Sequence, residues 1–412
     1  MQTKIHGDLK AIPLVNEAES ILRSCVHCGF CTAVCPTYQE LGDDLDSPRG
    51  RIYLIKSMLE DDQFSADMNQ HLDRCLTCRS CETTCPSGVE YGRLLDIGKH
   101  LVETRYKPQR SMLRNLQSSV LRFLLPRPRL FAFLYTIGRG LRPILPLRLR
   151  KTMPISQLAA LPAVRSSGQS ETQQRKVLVL QGCVQRSITP GVNRALEHLL
   201  EKHQIKVSYL SAEGCCGAVD YHLGHQDKGT QRIRALIDQL EPQLDEVECI
   251  VSSASGCGVT IKEYPQILKD DPEYLAKAER IVSRVKDVSE LVTTLEFACQ
   301  PMNVAIHTPC TLQHGQKLPV IVQEILLRAG AQLAPVAETH LCCGSAGTYS
   351  VLQPELAERL GRRKINCLTE HAPDVIVTAN VGCQTQLAAY GDTPVMHWVE
   401  FLAHYSADNQ SA

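Results

Sequence analysis

The chain has 412 residues, of which 43% are hydrophobic and 21% are charged, with Lys+Arg and Asp+Glu balanced at 44 each. This length predicts about two to four domains, the composition excludes an intrinsically disordered chain, and the balanced charge argues against nucleic acid as a partner. The 19 cysteines are odd in number and fall in metal-ligand spacings, which argues against a secreted disulfide scaffold.

No targeting or membrane-spanning segment is predicted. The first ten residues, MQTKIHGDLK, lack the apolar core of a signal peptide. No apolar run approaches the roughly 18 residues that a membrane span needs. We therefore expect a cytoplasmic protein, in a reducing compartment that keeps thiolates available to bind metal.

Residues 1–105 predict a mostly α-helical module. Helical patterns cover residues 14–23 and 89–104, and Ser47 followed by Pro48 predicts the start of a third helix that continues to residue 59. Because the segment contains little strand-forming pattern, we expect helices joined by loops.

Two runs of cysteines, 50 residues apart, dominate this module. Each has the spacing C-x2-C-x2-C-x3-C-P, which bacterial ferredoxins use to bind [4Fe-4S] clusters. Structural zinc, which also takes four cysteines in C-x2-C pairs, is the alternative interpretation. We predict two [4Fe-4S] clusters whose metal ligands are Cys25, Cys28, Cys31, Cys35, Cys75, Cys78, Cys81 and Cys85.

The last cysteine of each run precedes a proline and leaves the loop formed by the other three. In two-cluster ferredoxins, this fourth cysteine ligates the other cluster. The spacing therefore predicts crossed ligation, in which one cluster is bound by Cys25, Cys28, Cys31 and Cys85 and the other by Cys75, Cys78, Cys81 and Cys35.

Residues 106–174 predict a basic linker or docking segment. From Thr104 to Ser170 the chain has no Asp or Glu, whereas Arg and Lys recur, and prolines flank the apolar stretch at 130–137. One interpretation is a linker with a short helix packed on its own protein. The other is a basic, apolar surface within residues 106–151 that docks on a membrane face or on partner subunits.

From residue 175 onward the chain repeats itself. In each copy, a single cysteine precedes a Cys-Cys-Gly element by 31 intervening residues, and a fourth cysteine follows. Strand-like apolar runs precede the first and last cysteine of each copy, at 176–180 and 249–252 and again at 303–306 and 375–378, with helical patterns between them. Strands that alternate with helices predict parallel sheets covered on both faces.

The four cysteines of each copy are expected to converge, because sites gather at the carboxyl ends of strands in such sheets. A lone Cys-Cys-Gly element would indicate a tight turn with inert, buried thiols. Two such elements in matching positions favour a ligand set. The candidate additional cluster ligands are Cys183, Cys215, Cys216 and Cys257 in the first copy, and Cys310, Cys342, Cys343 and Cys383 in the second.

The sequence thus predicts an α+β, multidomain chain, in which an α-helical two-cluster ferredoxin module precedes two repeated α/β cysteine-rich (CCG) domains. The predicted division is residues 1–105 for the ferredoxin module, 106–174 for the basic segment, 175–300 for the first CCG domain and 301–412 for the second.

This order of motifs resembles the superfamily of heterodisulfide reductases and glycerol-3-phosphate dehydrogenase iron–sulfur subunits. Heterodisulfide reductase CCG domains end in a C-x-x-C pair. This chain has only one cysteine at each of these positions, Cys257 in the first repeat and Cys383 in the second. Within the superfamily, the chain resembles the iron–sulfur subunits of bacterial glycolate oxidase. The matching stretches are residues 18–38, 47–56, 71–78, 214–223, 253–258, 309–314, 341–349 and 377–385.

The resemblance implies an electron-transfer subunit of an oxidoreductase, without substrate turnover of its own. FAD-containing glycolate oxidase subunits would oxidise glycolate to glyoxylate, and electrons would pass through this chain to a membrane acceptor such as quinone. The protein would then lie peripherally on the cytoplasmic face of the inner membrane. The alternatives are the iron–sulfur subunit of a lactate or glycerol-3-phosphate dehydrogenase, a thiol enzyme like heterodisulfide reductase, and a zinc-binding scaffold.

Overall fold

The computed structural model describes residues 1–108, 110–144 and 175–406. The chain forms two compact units. Unit 1 comprises Met1–Arg122, Val219–Gly229 and His340–Gly361, and unit 2 comprises Phe123–Ala218, Thr230–Thr339 and Arg362–Ala412.

In residues 1–108 and 110–144, all regular secondary structure is helical. A π-helical turn, Val102–Tyr106, follows the sixth α-helix, and short 3-10 turns lie at Gly7–Leu9, Phe30–Thr32, Asp44–Asp46 and Arg142–Ile144. The α-helices are α1 (Pro13–Ser24), α2 (Pro36–Leu41), α3 (Pro48–Asp61), α4 (Ala66–Asp73), α5 (Ser80–Thr84), α6 (Tyr91–Leu101), α7 (Met112–Leu124) and α8 (Pro128–Gly140).

The predicted helices of the first module are confirmed. Helix α1 covers the predicted 14–23, α6 and the π-helical turn cover most of 89–104, and α3 begins where Ser47 and Pro48 predicted. The Ser47 hydroxyl accepts a hydrogen bond from Gly50 N at 3.0 Å, which satisfies a backbone donor that the first turn of a helix leaves unpaired. Residues 1–105, all of them described, contain no strand.

The core of unit 1 lies between α1, α3 and α6. Leu22, Ile55 and Leu94 are fully buried there, and their spacing on each helix presents one apolar face to the others. This packing holds the ends of the helices, and therefore the two cysteine loops attached to them, in place.

The remaining helices alternate with eight short strands. The helices are α9 (Gln185–Ile188), α10 (Pro190–Lys202), α11 (Ala218–His222), α12 (Gln226–Leu240), α13 (Ser255–Lys262), α14 (Tyr264–Ile267), α15 (Pro272–Val282), α16 (Val288–Val292), α17 (Ile321–Arg328), α18 (Tyr349–Leu352), α19 (Pro354–Thr369), α20 (Val381–Ala388) and α21 (Trp398–His404). A 3-10 turn at Glu241–Gln243 and a π-helical turn at Thr311–Gly315 complete the set.

Two four-stranded parallel sheets form the centre of unit 2, in the order β2-β1-β3-β4 and β6-β5-β7-β8. The equal strand order confirms the repeat and the predicted α+β class. The strands are β1 (Arg175–Leu180), β2 (Ile205–Ser208), β3 (Cys249–Ser252), β4 (Val285–Asp287), β5 (Asn303–His307), β6 (Gln332–Leu333), β7 (Val375–Thr378) and β8 (Val395–His397).

Successive side chains of β1 point alternately into two different buried clusters of unit 2. Val177 and Val179 belong to a large cluster that also contains residues of the second sheet and Trp398. Leu178 and Leu180 point to the opposite face, into a second cluster that contains Cys183, Cys215 and Cys216. The first set of repeat cysteines therefore lies at the edge of a packed apolar layer.

The division into four domains that the sequence predicts stays a prediction. Of the predicted basic segment, the structure describes residues 106–108 and 110–144, and it confirms a helix over the apolar stretch at 130–137 as part of α8. Residues 145–174 lie outside the described residues.

Candidate metal centres

The two cysteine runs of unit 1 follow the same backbone course. Two and four residues after the first cysteine, the first run has positive φ at His27 (61°) and Gly29 (86°), and the second run has positive φ at Thr77 (52°) and Arg79 (61°). Residues other than glycine rarely adopt this left-handed conformation. Both loops therefore reverse direction at equivalent positions and curl their thiols toward a common centre.

A cavity in unit 1 collects thiols from both runs. It is lined by Cys25, Cys28 and Cys31 of the first run and by Cys85 and Cys81 of the second. Cys35 is not one of the described residues that line this cavity. The structure thus brings the last cysteine of the second run to the first three cysteines of the first run.

Cys35 lies in a different environment. Its Sγ is 3.3 Å from Thr37 Oγ1 and 3.7 Å from Asp46 O. Burial raises the pKa of Cys81, and its neighbours Cys78, Cys75 and Cys35 raise it further. The position of Cys85 agrees with crossed ligation, and the ligand roles themselves stay predictions.

Burial opposes the ionisation of the thiols around this cavity. Burial raises the pKa of Cys31 to about 11, with smaller contributions from the neighbouring Cys25 and Cys35 thiols. Thiolates, rather than thiols, bind metals. Crowded thiols that resist ionisation in the apo protein become thiolates when a multiply charged metal centre compensates their charge, so this donor set fits an iron–sulfur cluster.

The first repeat places its four cysteines at the carboxyl ends of strands in unit 2. Cys183 follows β1 after Gly182, which has a φ of 75°. Cys215 and Cys216 lie in the connection after β2, where Gly217 has a φ of 89°. Cys257 lies in the first turn of α13, directly after β3.

These four thiols converge. Cys183 Sγ lies 3.8 Å from Cys215 Sγ, and Cys183, Cys216 and Cys257 line one small cavity. Hydrogen bonds from Cys183 and Cys216 lower the pKa of Cys215. The same bond to Cys215 raises the pKa of Cys183, and contacts with Cys215 and Cys257 raise that of Cys216. The cluster can carry a thiolate at its centre.

Two residues that the sequence analysis missed shape this site. The Glu213 carboxylate accepts hydrogen bonds from Gln181 N at 2.7 Å and Gly182 N at 2.8 Å, which ties the Cys-Cys-Gly connection to the end of β1. The Tyr264 hydroxyl donates to Cys216 O at 2.9 Å. A glutamate two residues before Cys-Cys-Gly is a signal that the sequence does contain.

The cysteines of the second repeat are divided between the two units. Cys310 and Cys383 belong to unit 2, at the start of the π-helical turn Thr311–Gly315 and in α20, respectively. Cys342 and Cys343 belong to unit 1, where both are buried and Gly344 has a φ of 84°. The convergence of this second set therefore stays a prediction.

Two family profiles match the chain. The cysteine-rich domain family (CCG) matches residues 177–262 and 304–388, and the 4Fe-4S dicluster domain family matches residues 21–89. Each CCG match overlaps the first three strands of one sheet and ends before its last strand, β4 or β8. The dicluster match contains all eight cysteines of the two runs.

Several relatives match long stretches of the chain. The glycolate oxidase iron-sulfur subunit of Escherichia coli (strain K12) is 46% identical over 98% of each chain. The probable glycolate oxidase iron-sulfur subunit of Bacillus subtilis (strain 168) is 30% identical over 90% of this chain and 89% of its own. Lactate utilization protein A of Bacillus licheniformis is 27% identical over 50% of this chain and 88% of its own.

A solved structure shares the fold. The crystal structure of a hypothetical protein from Helicobacter pylori superimposes with a TM-score of 0.56 and 9% sequence identity, covering 97% of this chain and 74% of that one. At this identity the similarity concerns the fold alone.

Proposed function

Since the chain belongs to the family of glycolate oxidase iron–sulfur subunits, we propose that it carries electrons within a complex that oxidises glycolate to glyoxylate. In this proposal, an FAD-containing partner subunit performs the oxidation, and a quinone in the membrane receives the electrons. The chain itself is an electron-transfer subunit and contributes no substrate-binding residue. The location proposed for it is the cytoplasmic face of the inner membrane.

The observation that carries this proposal is the thiol-lined cavity of unit 1. Three cysteines of the first run and the third and last cysteines of the second run line it, so the last cysteine of the second run lies where a two-cluster ferredoxin would use it. When bound, [4Fe-4S] clusters take up and release single electrons, at potentials set by their hydrogen bonds and exposure. Cys25, Cys28, Cys31 and Cys85 would hold one cluster, and Cys75, Cys78, Cys81 and Cys35 the other.

The first CCG repeat supports a further iron–sulfur site. Its four thiols are gathered at one strand-end site, and burial excludes water from Cys183, Cys215 and Cys216. Adjacent cysteines can bind different irons of one cluster, which suits a polynuclear centre better than a single tetrahedral ion. We include this site in the proposal.

The exposed faces of α7 and α8 support a membrane-surface location. None of the described helices is long and apolar enough to cross a membrane. Helix α7, however, has no buried residue, and it exposes the apolar side chains Met112, Leu113, Leu116, Val120 and Phe123. Their spacing puts them on one face.

Helix α8 has the same character. It exposes Phe133, Leu134 and Ile137, again on one face. Arg127 and Arg129, both exposed, lie at its start in a segment without acidic residues. Apolar faces flanked by arginines suit the headgroup region of an anionic bilayer, so we assign a lipid surface as the occupant of these faces.

Glycolate is favoured over lactate as the substrate of the partner. The relative named for lactate utilization covers only half of this chain, whereas that named for glycolate oxidase covers nearly all of it. The relative named for glycolate oxidase and this chain therefore match across the dicluster module and both CCG repeats of this chain.

Metal analysis tests the proposal. We expect the chain, purified anaerobically with its flavin partner, to contain iron and acid-labile sulfide in equal amounts and no stoichiometric zinc. Zinc at about two ions per chain without sulfide would instead identify the scaffold alternative.

A further inference from the structure

The two cysteine runs of unit 1 differ in the polar groups that surround them. The Tyr91 hydroxyl, at the start of α6, donates a hydrogen bond to Cys75 Sγ at 3.5 Å, while Tyr91 also lines the cavity of the first run. A tyrosine hydroxyl, with an ordinary pKa of about 10, keeps its proton near neutral pH and remains a donor. The position equivalent to Tyr91 after the first run is Leu41, which has no hydroxyl.

A buried positive charge also lies beside the second run. The Arg51 side chain is 1% exposed, and its guanidinium donates to His71 O at 2.7 Å and to Thr37 Oγ1 at 3.1 Å. Thr37 Oγ1 in turn lies 3.3 Å from Cys35 Sγ.

This positive charge is only partly neutralised. The Asp46 carboxylate, fully buried, lies 3.2 Å from Arg51 Nη2 and 2.8 Å from Arg74 Nη1. Two arginines thus share one carboxylate, which leaves an excess of positive charge beside Cys35. By contrast, Arg49, which lines the cavity of the first run, is 33% exposed and paired with Asp44, so water screens its charge.

We propose that Tyr91 and Arg51 hold the reduction potential of the cluster bound by Cys75, Cys78, Cys81 and Cys35 above that of the cluster bound by Cys25, Cys28, Cys31 and Cys85. Reduction adds one electron to a cluster, with no bond broken and no proton moved. A donor to a ligand sulfur and a nearby positive charge both stabilise the added negative charge. Electrons within unit 1 therefore settle on the second cluster. The inference rests on the proposed function and on crossed ligation.

The test is a redox titration of the complex with dithionite, followed by EPR. Tyr91→Phe keeps the ring and removes only the hydroxyl, and Tyr53→Phe, at an exposed position on α3, is its control. We expect Tyr91→Phe to lower the midpoint potential of one cluster by about 59 mV. For a one-electron couple, this corresponds to a tenfold change in the equilibrium constant for reduction. The shifted signal should be the one that Cys78→Ser abolishes. Asp46→Asn, which removes the negative charge, should raise the same potential.

An unshifted potential in Tyr91→Phe, or a shift in the signal that Cys28→Ser abolishes, would overturn the inference. Loss of iron from Tyr91→Phe would also contradict it, because the hydroxyl would then act on cluster retention. A wild-type complex without two reducible clusters would refute the proposed function itself, and the inference with it.

Discussion

Cys35 and Cys85 differ from the other cysteines of their runs because each precedes a proline. Cys35 is the N-cap of α2, with Pro36 at the first helical position, and Cys85 ends α5 before Pro86. Proline cannot continue the preceding turn, so the chain changes direction there. Each fourth thiol is thereby presented to a different set of neighbours than the other three.

Crossed ligation predicts a specific grouping of variants. Cys35→Ser should alter the same EPR signal of the reduced protein as Cys78→Ser, and Cys85→Ser should alter the same signal as Cys28→Ser. The physical reason is the placement of Cys85 in the cavity of the first run. The control is Cys367→Ser, in a half-buried thiol outside both runs, which should leave both signals intact. Grouping of each fourth cysteine with its own run would refute the crossing.

The thiols of the first CCG repeat predict iron beyond the ferredoxin module. Two cubane clusters account for about eight iron atoms per chain, and we expect the wild-type chain to exceed this number. Cys216→Ala should remove the excess, because Cys216 contacts both Cys215 and Cys257. The control is Cys299→Ala, at another buried cysteine, and this variant should retain the excess iron. About eight iron atoms in all three proteins would show that the repeat holds no iron.

Among the elements, the central strands could be predicted from the sequence and the flanking strands could not. Residues of β3 and β7 are buried throughout, because both sheet faces are covered, and this produces a continuous apolar run. The flanking strands β2 and β6 are partly exposed, and β6 has only two residues. Such short, mixed segments carry no periodicity by which a strand could be recognised.

The residues of the candidate metal centres could also be predicted only where the sequence carries a recognisable pattern. Thiol ligands could be predicted from their spacing, and the convergence of the first repeat from the strand ends. Arg51 and Tyr91 could not, because a single arginine or tyrosine near a helix start has no distinguishing pattern. Their role depends on burial and on contacts with residues distant in sequence, such as His71 and Cys75.

The apolar faces of α7 and α8 predict binding to anionic lipid. The double variant Arg127→Gln and Arg129→Gln should weaken binding of the complex to vesicles of phosphatidylglycerol and phosphatidylcholine. Each arginine near such a surface contributes about 1 kcal/mol, so we expect a loss of roughly 30-fold. Cosedimentation with vesicles measures it. Arg122 is left intact because it forms an ion pair with the buried Asp220 at 3.0 Å.

Removal of the same charge elsewhere provides the control. Lys206 and Lys317 are exposed, and their replacement by Gln should leave vesicle binding unchanged. Leu116→Ser should also reduce binding, since Leu116 is 59% exposed on the apolar face of α7. Equal binding by all variants, or binding that persists at high salt where charge attraction is screened, would rule out this surface.

At the scale of the whole molecule, we expect the chain to depend on a partner subunit for substrate oxidation. No G-x-G-x-x-G segment follows a strand in the sequence, so we expect no nucleotide cofactor of its own. The purified chain, with its clusters but without flavin, should not reduce an artificial acceptor with glycolate. Addition of the flavin subunit should restore the activity. Glycolate turnover by the flavin-free chain would contradict the assignment as an electron-transfer subunit.

The most direct test of the central claim is EPR of the intact complex after anaerobic addition of glycolate. If the chain carries electrons from glycolate through two [4Fe-4S] clusters, the signals of reduced clusters should appear within turnover times and disappear when a quinone is added. They should be absent from a complex with Cys28→Ser and Cys78→Ser. A complex that oxidises glycolate to glyoxylate while its clusters stay oxidised throughout would contradict the account.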